Sequence, residues 1–237
     1  MSWRGLTVLA VIPARGGSKS IPRKNLALID GLSLVAHAAR TAASLKWIDQ
    51  AILSTDDEEI ESEGRANGLS VPFRRPPELS GDSANSLDMW RHAWLSSEKT
   101  FNKCFDISVL LEPTSPLRQP SDVEATISRL VDGDYDAAVT VSPTPAHFTP
   151  HKTLTLKDGV IGYFHPEGSR HSLRQTIPAY YHRNGVCYAV RRKTLIESRR
   201  IIDKNCAAVV IDRPVVNIDE PVDLELASLL MAKQTGS

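Results

Sequence analysis

The sequence predicts an α/β fold: a three-layer, doubly wound and mostly parallel sheet with helices on both faces. Three observations point there. Apolar runs rich in β-branched residues alternate with segments of helical periodicity, as βαβ units require. The first run, residues 6–12, is apolar apart from Thr7, which suits a strand covered on both faces rather than one with a wet side. The chain has 237 residues, 41% of them hydrophobic, enough to bury a full core without disulfide staples.

The elements follow in order. After the first strand comes a glycine-rich basic loop. Ser33 then caps a helix on which Leu34, Val35, Ala38, Ala42 and Leu45 share a face. Residues 50–54 form a short strand. Residues 57–67 form a helix with acids in its first turn and Asn67-Gly68 as its stop. Leu87, Trp90 and Trp94 stripe the next helix, and residues 107–111 are a buried strand. Ser121-Asp-Val-Glu124 reads as a capping box opening a helix to about Val131, followed by a strand at 137–141. The rhythm breaks over about 143–181, a stretch rich in Pro, His, Thr and Gly with a hairpin signal at Lys157-Asp158-Gly159-Val160. It resumes with strands at 185–190 and 207–211 and a helix from Pro221. Parallel strands joined by right-handed crossovers follow from this order. The expectation is a single domain over 1–237 with an inserted lid or dimerisation arm.

Composition excludes several functions. Lys plus Arg number 28 and Asp plus Glu 28, so the net charge is zero and non-specific nucleic-acid binding lacks its basic surface. No stretch reaches the roughly 18 apolar residues of a membrane span. The apolar N-terminal segment ends in Pro-Ala-Arg and reads as a strand rather than a signal peptide. Cys104, Cys187 and Cys206 are odd in number and lack a CxxC, which fits free thiols and a cytoplasmic location.

In an open parallel sheet, ligands bind at the carboxyl ends of the strands. The loop there is Ile12-Pro-Ala14-Arg15-Gly16-Gly-Ser18-Lys19-Ser-Ile-Pro-Arg23-Lys24-Asn25. Two glycines allow close backbone approach and four cations crowd one turn, which suits a polyphosphate. The Walker A spacing and the GxGxxG dinucleotide fingerprint are both absent.

The pattern AR-x-x-SK-x-x-x-x-KN closely resembles the acylneuraminate cytidylyltransferase family. Five more motifs extend the resemblance in the same order: Leu53-Ser-Thr-Asp56; Arg75-Pro-Pro-Glu-Leu79 with Asp82-Ser-Ala84-Asn-Ser86; Leu111-Glu112-Pro-Thr-Ser-Pro-Leu-Arg118; Arg183-Asn184-Gly185; and Asn217-Ile-Asp219. It implies a nucleotide-diphospho-sugar transferase-like fold and a homodimer. The implied reaction joins CTP and a 2-keto-3-deoxy sugar acid into a CMP-sugar, releasing pyrophosphate, with Mg²⁺. On matching positions Arg15, Lys19 and Lys24 would hold the triphosphate, with Ala14, Gly16, Ser18 and Asn25 beside it. Arg75, Ala84 and Ser86 would border cytosine and ribose. Lys152, Arg174, Arg183 and Asn184 would face the sugar acid, Arg174 through a two-pronged carboxylate contact. His182 stands where relatives carry an Arg two places before Asn-Gly, with Arg183 one place along.

Two departures bear on mechanism. Where relatives commonly carry Asp-x-Asp for Mg²⁺, this chain has Asn217 and Asp219; Asn offers a neutral oxygen, weaker toward a hard cation. Glu112 replaces the typical Gln. Its carboxylate restores charge at the metal, contacts a hydroxyl or amino group of the sugar, or pairs with Arg118. His147, His151, His165, His171 and His182 lie in or beside the arm without metalloprotease-type spacing and read as polar loop residues. The competing functions are a CTP-binding module without turnover and a transferase for a Kdo-like acid.

Overall fold

The computed structural model describes residues 3–170 and 174–235. Its centre is a six-stranded sheet in the order β10-β6-β9-β5-β1-β4. The strands are β1 (Val8–Pro13), β4 (Gln50–Ser54), β5 (Ile107–Leu110), β6 (Ala137–Pro143), β9 (Tyr181–Arg191) and β10 (Cys206–Val210). Small hairpins add β2 (Leu28–Ile29) with β3 (Leu32–Ser33), and β7 (Leu154–Lys157) with β8 (Val160–Tyr163). All pairings in the large sheet are parallel except those of β9, which runs against both β5 and β6.

Alternation along β1 shows why its run is continuously apolar. Val8, Ala10 and Ile12 join one core, with α1 (Leu34–Ser44), α2 (Glu58–Ala66) and α4 (Pro120–Asp132) above them. Leu9 and Val11 join a second core on the other face, beneath α3 (Ser86–Phe101). Trp90 and Trp94 of α3 are fully buried there, and the Trp90 indole N–H donates to Ser108 of β5 at 2.8 Å. Truncating either ring would cost about 3–5 kcal/mol. A third, smaller core under α5 (Pro221–Thr235) gathers Ile21, Ile29, Leu117, Val216 and Ile218, so it ties the basic loop to the chain near Asp219.

Ser33 caps α1 by accepting from Ala36, and Asp57 caps α2 by accepting from Glu59 and Ile60. The Asp158-Gly159 turn joins β7 to β8 with both residues at positive φ, the pattern of a type I′ turn. Two expectations are corrected. The box opening α4 sits two residues earlier: Gln119 caps, Pro120 takes the first helical position, and the Asp122 carboxylate accepts from the Gln119 N–H at 2.7 Å. The strand expected at 185–190 spans residues 181–191 and is antiparallel.

That strand carries a bulge at the site. Between the pairs Val139–Tyr188 and Val141–Arg183, the single residue Thr140 faces residues 184–187 of β9. Gly185 in the bulge has φ +72°, a conformation in which a side chain is strained.

Candidate active site

The carboxyl ends of β1, β4, β5 and β6 open at one edge of the sheet, and the reversed β9 brings its amino end there. A cavity of about 360 Å³ lies over β1 and β5. Arg15, Ser18, Lys19, Lys24 and Asn25 line one side; Asp82 and Ser86 at the start of α3, Glu112 after β5, and Asp219 complete it. The local sequence builds the loop. Asn25 is buried and its amide donates to the Arg15 carbonyl at 2.9 Å, closing the turn on itself. The Gly16 N–H donates to Asp56, and a Cβ on Gly16 would meet the Asp57 carboxylate at 2.6 Å, so the turn lies flat against α2's first residues.

Three of the four loop cations face the cavity. Arg23 does not: at φ 57° it turns outward to ion pairs with Asp57 (2.8 Å) and Glu59. Lys24 Nζ donates to the Ile218 carbonyl (2.8 Å) and to Asp219 (3.0 Å). Arg15 and Lys19 converge on Asp82, at 2.9 and 2.6 Å. Asp82 opens the Asp82-Ser-Ala84-Asn-Ser86 motif, three residues before Asn85, the α3 cap, and nothing local in the sequence marks it as the partner of these two cations.

A second cavity, about 410 Å³, adjoins the first beyond β9. Ser142, His182, Arg183, Asn184, Arg213 and Asn217 are among its walls. Gly185, Glu112, Ser115 and Asn217 meet between the two: a Cβ on Gly185 would lie 2.8 Å from the Glu112 carboxylate, 2.9 Å from the Ser115 hydroxyl and 3.3 Å from Asn217 Oδ1. The Asn217 amide donates to Asp219 at 3.1 Å, so Lys24 and Asn217 hold one carboxylate from two directions.

Glu112 is half-buried at the wall of the first cavity, and desolvation raises its carboxyl above the ordinary range; the nearby Arg118 and Arg183 oppose the rise, and Asp219 adds to it. Arg118 reaches the Glu112 backbone carbonyl rather than its carboxylate, and it also donates to the Val186 carbonyl. Burial lowers the Arg118 guanidinium to about 10. It therefore works as a clamp holding the end of β5 to the bulge, and of the three roles open to Glu112 the side-chain pair with Arg118 is not the one formed.

Other expected site residues are placed differently. Arg75 is buried, and its guanidinium donates to the hydroxyl and carbonyl of Ser54 at the end of β4. Ala14 is in the core. Ala84 lies in a turn, its N–H donating to the Gly81 carbonyl, and lines neither cavity. Asn184 spends its amide inside the sheet: Oδ1 accepts from the Thr140 hydroxyl (2.7 Å) and the Val186 N–H, and Nδ2 donates to Ser142. Lys152 precedes β7 in the arm and lines neither cavity. Arg174 opens a short 3₁₀ turn, Arg174–Thr176; its side chain and residues 171–173, with His171, lie outside the described residues. Within the arm, ligand-capable atoms of His151, His165 and Glu167 come within 4.8 Å of one another. Each has another partner: Tyr180 for His151, the Glu167 N–H for His165, and Arg170 for Glu167.

The geometry is that of a polyphosphate cradle beside a second polar cavity, and comparison with known proteins decides its class. The sequence model of the Cytidylyltransferase family matches residues 9–199. The chain belongs to the cytidylyltransferase family. It is a nucleotidyltransferase. A CMP-N,N'-diacetyllegionaminic acid synthase of Campylobacter jejuni is 30% identical over 226 residues, 95% of each chain. A pseudaminic acid cytidylyltransferase of the same species is 29% identical, over 94% of this chain and 95% of the relative. Among solved structures, a CMP:2-keto-3-deoxy-manno-octonic acid synthetase complexed with CTP superposes with a TM-score of 0.70 at 20% identity, covering 96% of this chain and 99% of that one. That likeness establishes the cytidylyltransferase's fold. Among the described residues, no helix is long and apolar enough to cross a membrane.

Proposed function

We propose that the chain transfers the CMP group of CTP to a 2-keto-3-deoxy sugar acid of the nonulosonic, sialic-like class. The observation that carries this reading is the grouping of Arg15, Lys19 and Lys24 over one cavity, with a second polar cavity directly beyond Glu112 and Gly185. The names of the relatives support the sugar class. CTP would lay its triphosphate on the three cations, which offset charge gathering on the leaving group. The sugar acid would take the second cavity, where Arg183 suits its carboxylate. Its anomeric hydroxyl attacks the α-phosphorus; the new P–O bond forms as the bond to pyrophosphate breaks, and the hydroxyl proton passes to solvent. Holding both partners in line is the protein's main contribution.

The hard oxygen donors of Asp219 and Asn217, beside the cation-lined cavity, fit Mg²⁺, which takes one or two protein oxygens together with substrate phosphates. When bound, the ion would neutralise phosphate charge. The dimer belongs to the same proposal. The β7–β8 hairpin exposes Leu154, Leu156, Val160, Ile161 and Tyr163, a surface that a second copy of this chain would cover.

Pyrophosphate release with CTP and a panel of sialic, legionaminic, pseudaminic and Kdo-like acids tests the reading. Release with a nonulosonic acid and none with the Kdo-like acid is expected. CTP binding without release for any acid would make the chain a binding module, and faster release with the Kdo-like acid would reassign the substrate.

A further inference from the structure

We propose that Asp82 is a built-in stand-in for nucleotide phosphate: it holds Arg15 and Lys19 until a polyphosphate displaces it, and so sets the affinity for CTP by competition. The inference rests on the reading of the cavity as a triphosphate site. Its two carboxylate oxygens are divided between two cations, one 2.9 Å from Arg15 and the other 2.6 Å from Lys19. That is the arrangement a bridging phosphate group would take up. These contacts hold the Asp82 carboxyl below the ordinary range, Lys19 more than Arg15.

Asp82 differs from Asp219, another acid lining this cavity. Asp219 is held by Lys24 and by the Asn217 amide. The contacts seen for Asp82 all run to the two cations that phosphate needs. Displacement is also easy. The Lys19 side chain is 81% exposed and that of Asp82 48%, and exposed pairs are weak. Asp82 sits in a short surface segment between Ser80 and the α3 cap Asn85, and a Cβ on neighbouring Gly81 would meet no atom within 4 Å. Gly81, Asp82 and Ser83 are all solvent-exposed. A polyphosphate offers several charged oxygens to both cations at once and outcompetes a single carboxylate. Once it is seated, its charge repels Asp82.

The test is calorimetric binding of inorganic tripolyphosphate, and separately of cytidine, to the full chain. Asp82→Asn, which keeps shape and removes charge, should bind tripolyphosphate roughly three- to tenfold more tightly than wild type at low salt. The gain should shrink as ionic strength rises, cytidine binding should not change, and Asp82→Glu should stay close to wild type. Equal or weaker tripolyphosphate binding by Asp82→Asn, with a normal melting temperature, overturns the proposal and leaves the proposed function standing. A wild-type chain that binds neither tripolyphosphate nor CTP overturns both.

Discussion

At the scale of single residues, Glu112 is the side chain whose charge state matters most. An unfolded Glu titrates near about 4.3, whereas the half-buried Glu112 holds its proton to higher pH. The native state therefore binds that proton more tightly, and its stability advantage is present at low pH. That advantage is lost as pH climbs from the ordinary carboxyl range through the raised value. Glu112→Gln lacks this titration. Its melting temperature relative to wild type should rise between pH 4 and pH 8, and a pH-independent difference would mean that Glu112 ionises normally. Gly185 explains why the carboxylate can sit there at all: any side chain would push into it from the bulge.

At the scale of elements, the start of α2 joins folding to binding. Asp57 caps the helix, pairs with Arg23 and supports Gly16, so one carboxylate fixes the helix end and the flank of the basic loop. Asp57→Ala should cost about 1–2 kcal/mol in urea unfolding and should also weaken CTP binding. Asp57→Asn, which still caps, should recover most of the stability while binding stays impaired. The Ser33 cap was legible in the sequence because it acts within one turn, whereas Asp57 reads there as the first helical residue and is the cap itself. The phosphate loop was legible from its density of charge. Which cation turned away was not, because Arg23 is directed by its left-handed backbone and by acids more than thirty positions along the chain. Nor was the direction of β9: an apolar run reads the same both ways, and its reversal follows from where the arm returns the chain. The two acceptable starts of α4 were separated by Pro120, which fits the first helical position.

At the scale of the whole molecule, the arm is the part that is incomplete alone. Leu156 and its cross-strand partner Ile161 are 73% and 66% exposed. Glu at both positions should leave monomer stability within about 0.5 kcal/mol, since these are surface sites. The same change should convert a sedimenting dimer to a monomer; a wild-type chain that sediments as a monomer at micromolar concentration would refute the assembly. The reversed β9 has a further effect. The arm departs from the end of β6 and comes back at the beginning of β9, and both of its roots are planted on the rim of the catalytic crevice. A push on the hairpin therefore reaches the chain at His182, Arg183 and the kink that cradles Glu112.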